Sequence, residues 1–240
     1  RRFIDITLSQ IKPSYFYDLQ KYAKIIYQRN SLLKEIAFKR GLEDTLEVWD
    51  CHLIKTGTRI MKERIKFVTR LNELAGKRHV NLTNNEEKLS LRYNPSFDCG
   101  EHIYDLNSDG LEYCFQDLLI RNRERELQKG NTIFGPHRDD LEIKLNGQTI
   151  KIYGSQGQQR TSVLSMKLAE IDLLKEESGD WPVLLLDDVL SELDDNRKEY
   201  LLNSIENVQT FITATDNRFL CAEKKDAAFF YVKAGNIKLE

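Results

Sequence analysis

Apolar positions recur every three to four residues over the first third of the chain. Between Ser14 and Arg40 they are Tyr15, Leu19, Tyr22, Ile26, Leu33 and Ile36, with Pro13 just ahead and Gly41 where a helix C′ residue belongs. That spacing predicts one long helix. A second helical stretch runs from about Leu42 to Lys77 on Leu46, Trp49, Leu53, Ile60, Phe67, Leu71 and Leu74. Gly57 interrupts it, at a cost of about 1 kcal/mol against alanine, and marks a place to bend. At 1.5 Å per residue the two helices would be roughly 40 and 50 Å long. A tight turn between them predicts an antiparallel hairpin, an arm rather than a compact bundle.

The period then changes. Leu89, Leu91 and Tyr93 alternate within Lys88–Tyr93, which predicts a strand, and Leu111–Lys129 returns to a helical pattern with a highly charged end. Leu141, Ile143 and Leu145 alternate up to Asn146-Gly147, and Ile150 and Ile152 follow, the pattern of a β-hairpin. A short polar loop leads into a helix from about Gln158 to Glu177. Pro182–Asp188 is a continuous apolar run, as expected of a strand buried on both faces of a sheet. A helix over Asp194–Glu206, a strand over Thr210–Ala214 and a closing hairpin of Phe229–Lys233 with Asn236–Lys238 complete the expected order. The fold class is α/β with a helical arm, divided into residues 1–130 (arm and a small strand region) and 131–240.

Composition narrows the picture without naming a function. The 240 residues are 40% apolar and 31% charged, which excludes a disordered chain, a collagen-like fibre and a disulfide scaffold. No apolar run approaches the roughly 18–20 residues that cross a bilayer, and no signal-peptide h-region opens the chain. Cys51, Cys99, Cys114 and Cys221 lie far apart, as expected of buried or idle thiols in a reducing cytosol. The expectation is a soluble cytoplasmic protein. Charge is uneven: residues 1–80 carry 17 Lys/Arg against 9 Asp/Glu, and residues 81–240 carry 19 against 29. The basic stretch reads either as a solvated helix face or as a surface for a polyanion or an acidic partner.

Candidate chemistry concentrates in three places. Val183-Leu184-Leu185-Leu186 runs into Asp187-Asp188, which puts two carboxylates at the C-terminal edge of a strand, where open α/β sheets bind ligands. Asp187 would sit where a Walker B aspartate holds the Mg²⁺ of a nucleotide, and Asp188 where it could orient or deprotonate the attacking water. Ser191-Glu192-Leu193-Asp194 follows in the form of a D-loop. Upstream, Ser155-Gln156-Gly157-Gln158-Gln159 stands directly ahead of a helix; it reads either as a plain N-cap or as an anion site made of exposed N–H groups and a positive dipole end.

These segments, in this order, resemble the C-terminal half of an ABC/SMC-type ATPase head. Gly135-Pro136-His137-Arg138-Asp139-Asp140-Leu141, Tyr153 to Thr161, and Leu185 to Asp194 together resemble the RecF family, bacterial recombination mediator ATPases. Arg1 to Asp5 and Gln28-Arg29-Asn30-Ser31-Leu32-Leu33-Lys34 also fit its pattern, so the likeness spans nearly the whole chain. The resemblance implies a DNA-dependent ATPase that forms a homodimer on ATP, recognises single-strand/double-strand DNA junctions and, with a RecR-like partner, helps load RecA at gaps. It implies ATP contacts in trans from Ser155, Gln156, Gly157 and Gln158, with Asp194 acting across the dimer, and in cis Mg²⁺ at Asp187 and water at Asp188. Two departures stand out. No G-x-x-x-x-G-K-[ST] lies within these residues, so the chain is expected to be a RecF-like protein lacking its N-terminal Walker A portion and inactive alone. The strand Phe211 to Asp216 ends without a switch histidine, and Thr215 is its expected occupant. His137 and Arg138 read either as a brace for their loop or as a DNA or phosphate contact. The competing readings are a non-catalytic module that binds DNA or a partner, and another SMC-type ATPase such as a RecN-like protein.

Overall fold

In the computed structural model of the chain, residues 1–36, 43–97, 103–105, 107–216 and 227–239 are described. The expected helix end at Gly41, and Cys99 and Cys221, lie outside them. Two compact units divide at Gly179/Asp180.

The first unit is built around a long helical hairpin. Helix α1 (Arg2–Ile11) leads through Lys12 into α2 (Pro13–Ile36), and α3 spans Glu43–Leu82. Side-chain pairs between α2 and α3 run in opposite directions, Tyr15 with Arg64, Asp18 with Arg59 and Arg29 with Asp50, so the two helices are antiparallel as the pattern predicts. Helix α3 passes through Gly57 without a break. The glycine serves packing instead of bending: a Cβ there would lie 2.8 Å from Phe115 Cε1 and 3.2 Å from Tyr22 Cε2. The hairpin is also bound into the unit along its length. Ile60, Met61, Phe67, Val68 and Leu71 of α3 are buried together with Tyr15, Tyr22 and Ile25 of α2 and with residues from most of the later layers.

Those layers are a three-stranded antiparallel sheet and four more helices. Strand β1 (Leu89–Asn94) pairs with β2 (Asp140–Leu145), which pairs with β3 (Gln148–Thr149). The register sets Leu89 opposite Leu145 and Leu91 opposite Ile143, and the alternation sends Leu89, Leu91 and Tyr93 into the core. Helices α4 (Ser108–Arg121) and α5 (Arg123–Lys129) meet at Asn122, where one helix was expected. The expected strand through Ile150 and Ile152 is instead a single helical turn, α6 (Ile150–Tyr153), closed by the Gly154 N–H donating to Ile150 O. The Asn146-Gly147 turn is present, both residues at positive φ, but only two residues pair beyond it before the chain turns helical. Helix α7 (Gln156–Ser178) then packs on α3 and buries Met166, Ala169 and Leu173 in the same core. Residues 131–179 therefore belong with the helices, and the expected division at residue 130 is not where the units part: β2 is bonded to β1 and α7 lies on α3.

Charge asymmetry has a structural use here. Arg29 with Glu126, Arg70 with Glu176 and Arg78 with Asp172 join basic residues of the first stretch to acidic residues of the second. Arg29 is the most buried of these: it donates to Asp50 Oδ1 at 2.7 Å, Thr132 Oγ1 at 2.8 Å and Glu126 Oε2 at 2.6 Å. Its neighbour Asn30 accepts from the Thr132 backbone N–H at 2.7 Å.

The second unit holds β4 (Leu184–Asp187), a 3₁₀ turn (Val189–Glu192), α8 (Asp195–Ser204) and β5 (Thr210–Thr213), which lies parallel to β4. A crossover through a helix is what a parallel pair requires. Strands β6 (Phe230–Lys233) and β7 (Asn236–Leu239) form the closing hairpin. The expectation of a doubly buried strand is corrected: Leu185 is 73% and Phe211 58% exposed. Among the described residues this sheet is two strands wide, so the apolar run that marks a central strand has one face uncovered.

Candidate functional site

The loop before α7 is shaped by a reciprocal cap. Ser155 takes extended backbone angles, its Oγ accepts from the Gln158 N–H at 3.2 Å, and Gln158 Oε1 accepts from the Ser155 N–H at 2.9 Å. Because Ser155 Oγ is an acceptor in this cap, its own proton remains available to a ligand. Gln156 and Gly157 are the first helical residues and are exposed, at the end of the helix where backbone N–H groups lack intrahelical acceptors. A Cβ built on Gly157 meets nothing nearer than Ser155 Oγ at 4.0 Å. The amide of Gln158 is engaged at both ends within the chain, since its Nε2 donates to Glu87 Oε1 at 2.8 Å. Glu87 Oε2 in turn lies 3.2 Å from His79 Nε2, and His79 Nδ1 lies 2.9 Å from Ser165 Oγ.

In the second unit, parallel pairing sets Asp187 opposite Thr213. Thr213 Oγ1 donates to Asp187 Oδ1 at 2.6 Å and accepts from the Asp188 N–H at 3.1 Å. One hydroxyl thus orients the first carboxylate and anchors the backbone of the second. Asp188 has φ 51° and ψ 21°, the left-handed region that aspartate adopts more readily than most non-glycine residues. Both carboxylates are exposed at the C-terminal end of β4. Two hard oxygen donors on a strand end suit a Mg²⁺ that keeps waters and shares a nucleotide's phosphates. Among the described residues no group of three or more His, Cys, Asp or Glu could hold a metal by itself. Asp194 caps α8, accepting from the Arg197 N–H at 3.0 Å, and pairs with the Arg197 guanidinium. Thr215 lies exposed in the bend after β5.

The Gly135–Asp140 loop is braced from below. Arg64 donates to Pro136 O at 2.6 Å and pairs with Asp5, and Tyr93 donates to Asp139. Tyr22 Oη lies 3.2 Å from His137 Nδ1, and His137 Nε2 lies 3.3 Å from Thr132 O. A carbonyl only accepts, so Nε2 carries the proton and Nδ1 accepts from the tyrosine. That neutral tautomer agrees with the imidazole's pKa, which burial, reinforced by Arg138, pushes below its ordinary value. The geometry assigns His137 to the brace, while Arg138 is exposed. Burial raises Tyr22 and Tyr93 well above the ordinary phenol range.

Sequence reasoning placed the capped loop ahead of α7, the two acids at the end of β4 and Asp194 ahead of α8, and the structure puts them on those elements. It did not single out Thr213, Glu87 and His79, which contact those residues directly or through one another. Thr213 could have been reached only through the β4–β5 register, which no local pattern encodes.

Compared with known proteins, the chain matches no protein-family model. It is 52% identical over 237 residues to the DNA replication and repair protein RecF of Acetivibrio thermocellus, covering 98% of this chain and 63% of that protein. It is 46% identical to RecF of Ruminiclostridium cellulolyticum, covering 99% of this chain and 63% of the relative. Two solved structures of the recombination mediator RecF, one described with ATP and one with ATPrS, in the RecFOR pathway, superpose over 100% of this chain and 62% of theirs, at TM-score 0.86 and 37% identity. The chain therefore spans less than two thirds of the length of these proteins. In sequence and fold it matches the C-terminal part of RecF, an ABC/SMC-type ATPase.

Proposed function

We propose that this chain supplies the signature loop, the Walker B acids and the D-loop turn of a RecF-type ATPase that associates in pairs on ATP at DNA gaps. The Walker A loop would come from sequence outside these 240 residues, and these residues alone would not turn over ATP. Ser155, Gly157 and the α7 N-terminus would close on the γ-phosphate bound to a second copy, and Asp194 would act across the same interface. Asp187, held by Thr213, would carry Mg²⁺, which neutralises phosphate charge when bound, and Asp188 would orient the attacking water. Phosphoryl transfer asks mainly for such positioning and charge neutralisation. In this reading the nucleotide is itself the contact between copies, so association follows ATP. DNA junctions and a RecR-like protein would be the partners, with RecA loading as the outcome.

The observation that carries the reading is Gly157. Among the described residues nothing crowds its Cβ position, so no packing contact there calls for a glycine. A glycine here leaves room for a close approach from outside, at a helix end suited to phosphate. Sedimentation velocity on the full-length protein, with and without ATP and Mg²⁺, tests it beside Ser155→Arg. A dimer that needs ATP and is lost in the variant supports the clamp. A monomer under all conditions removes it and leaves the non-catalytic interaction module in its place.

A further inference from the structure

Resting on that reading of the α7 N-terminus, we propose that Glu87 and His79 are positioning residues for the signature loop, acting through the side-chain amide of Gln158. An amide has two ends of opposite character, and the Ser155 N–H needs the acceptor end. A carboxylate only accepts, so Glu87 Oε1, 2.8 Å from Gln158 Nε2, selects the orientation in which Gln158 Oε1 meets Ser155 N at 2.9 Å. The reversed amide would set donor against donor at Ser155 and acceptor against acceptor at Glu87. His79, fully buried in the last turns of α3, holds the other carboxylate oxygen at 3.2 Å and is itself fixed at Ser165 by 2.9 Å.

The helix does not need this chain of contacts to stay in place. Arg78 grips Asp172 with two hydrogen bonds of 2.9 and 2.7 Å, Arg70 reaches Glu176, and Met166, Ala169 and Leu173 lie in the core. What Glu87 adds is local to the first turn: the Ser155 backbone is locked, so that Ser155 Oγ and the N–H groups of Gln156 and Gly157 present one fixed geometry. Preorganised donors are worth more than mobile ones at a site of developing charge.

The test uses the full-length protein and four variants: Glu87→Ala, Glu87→Gln, Gln158→Glu, and the exchanged pair Gln158→Glu with Glu87→Gln. Glu87→Ala should weaken ATP-driven association about tenfold, the scale of one lost hydrogen bond, with nucleotide binding to the monomer unchanged and a small fall in melting temperature because buried His79 loses the same carboxylate. Glu87→Gln keeps an acceptor for Gln158 and should stay within about threefold. Gln158→Glu alone sets two carboxylates together and should fail. The exchanged pair should restore association, because its amide, now on the β1 side, can donate to the carboxylate now on α7. Hydrogen exchange at the Ser155 amide, read without nucleotide, should accelerate in Glu87→Ala and return to the parent rate in the exchanged pair. Unchanged exchange in Glu87→Ala overturns the proposal whatever association does. Association lost in proportion to melting temperature across all four variants overturns it too. If Ser155→Arg still associates on ATP, the clamp reading fails, and the exchange result decides the positioning role on its own.

Discussion

Removing the guanidinium of Arg29 should be one of the most damaging single changes in the first unit. The side chain is 0% exposed and Glu126 is equally buried. Arg29→Met keeps much of the volume but removes the donors to Asp50, Thr132 and Glu126. Asp50 retains Arg123 at 2.8 Å, and Glu126 retains the Ile133 N–H, also at 2.8 Å. One buried carboxylate is therefore left without a cation, which costs about 3–5 kcal/mol. For a unit of this size that corresponds to a melting temperature roughly 10 °C lower. Scanning calorimetry reads the shift directly. Arg29→Met combined with Glu126→Gln provides the internal control, because a neutral amide can still accept from Ile133, and it should recover at least half of the loss. A single variant within about 1 kcal/mol of the parent, or a double variant worse than the single, would refute the argument from a stranded charge.

Three further outcomes follow from the same geometry. Gly157→Ala should leave the melting temperature unchanged or slightly raised, since the Cβ position is open among the described residues, yet ATP-driven association of the full-length protein should fall; equal association would leave the glycine without a function. Thr213→Val should leave unfolding nearly unchanged while lowering ATP turnover of the full-length protein by about 10- to 100-fold, the usual scale for groups that orient metal-binding carboxylates, as measured by phosphate release. Tyr15, Tyr22 and Tyr93 have pKa values raised chiefly by burial, so their contribution to stability is complete below the ordinary phenol value of about 10 and is lost as pH rises beyond it; absorbance at 295 nm should show these three ionising only as the chain unfolds.

Much of the candidate site was legible because its signals are local. Ser155 ahead of an apolar-periodic stretch marks a cap, and four apolar residues ending in Asp187-Asp188 mark a strand edge, whatever surrounds them. The hairpin was legible for the same reason, as its 3.6-residue period extends over dozens of positions. Ile150 and Ile152 show the limit: alternation after Asn-Gly fits a strand, but two residues of pairing suffice for the turn, and the chain then gains more by burying Ile150 in a helical turn. Gly57 shows another. Its place in a helix suggests a bend, whereas Phe115 and Tyr22, both distant in sequence, supply the reason for a missing side chain.

The sequence by itself determined the two long helices, the strands β1, β2, β4 and β5, the capped loop and the paired acids, since each depends on residues within a few positions of one another; it did not show α1 (Arg2–Ile11), the break at Asn122 or the helical turn at Ile150. Only the tertiary structure decided which Thr meets Asp187, that Glu87 and His79 stand behind Gln158, and that basic residues near the start are matched by acids more than 90 positions later. Strand register, the burial of Arg29 and the fit around Gly57 are set by distant segments competing for the same space and charge, and no local pattern carries that information.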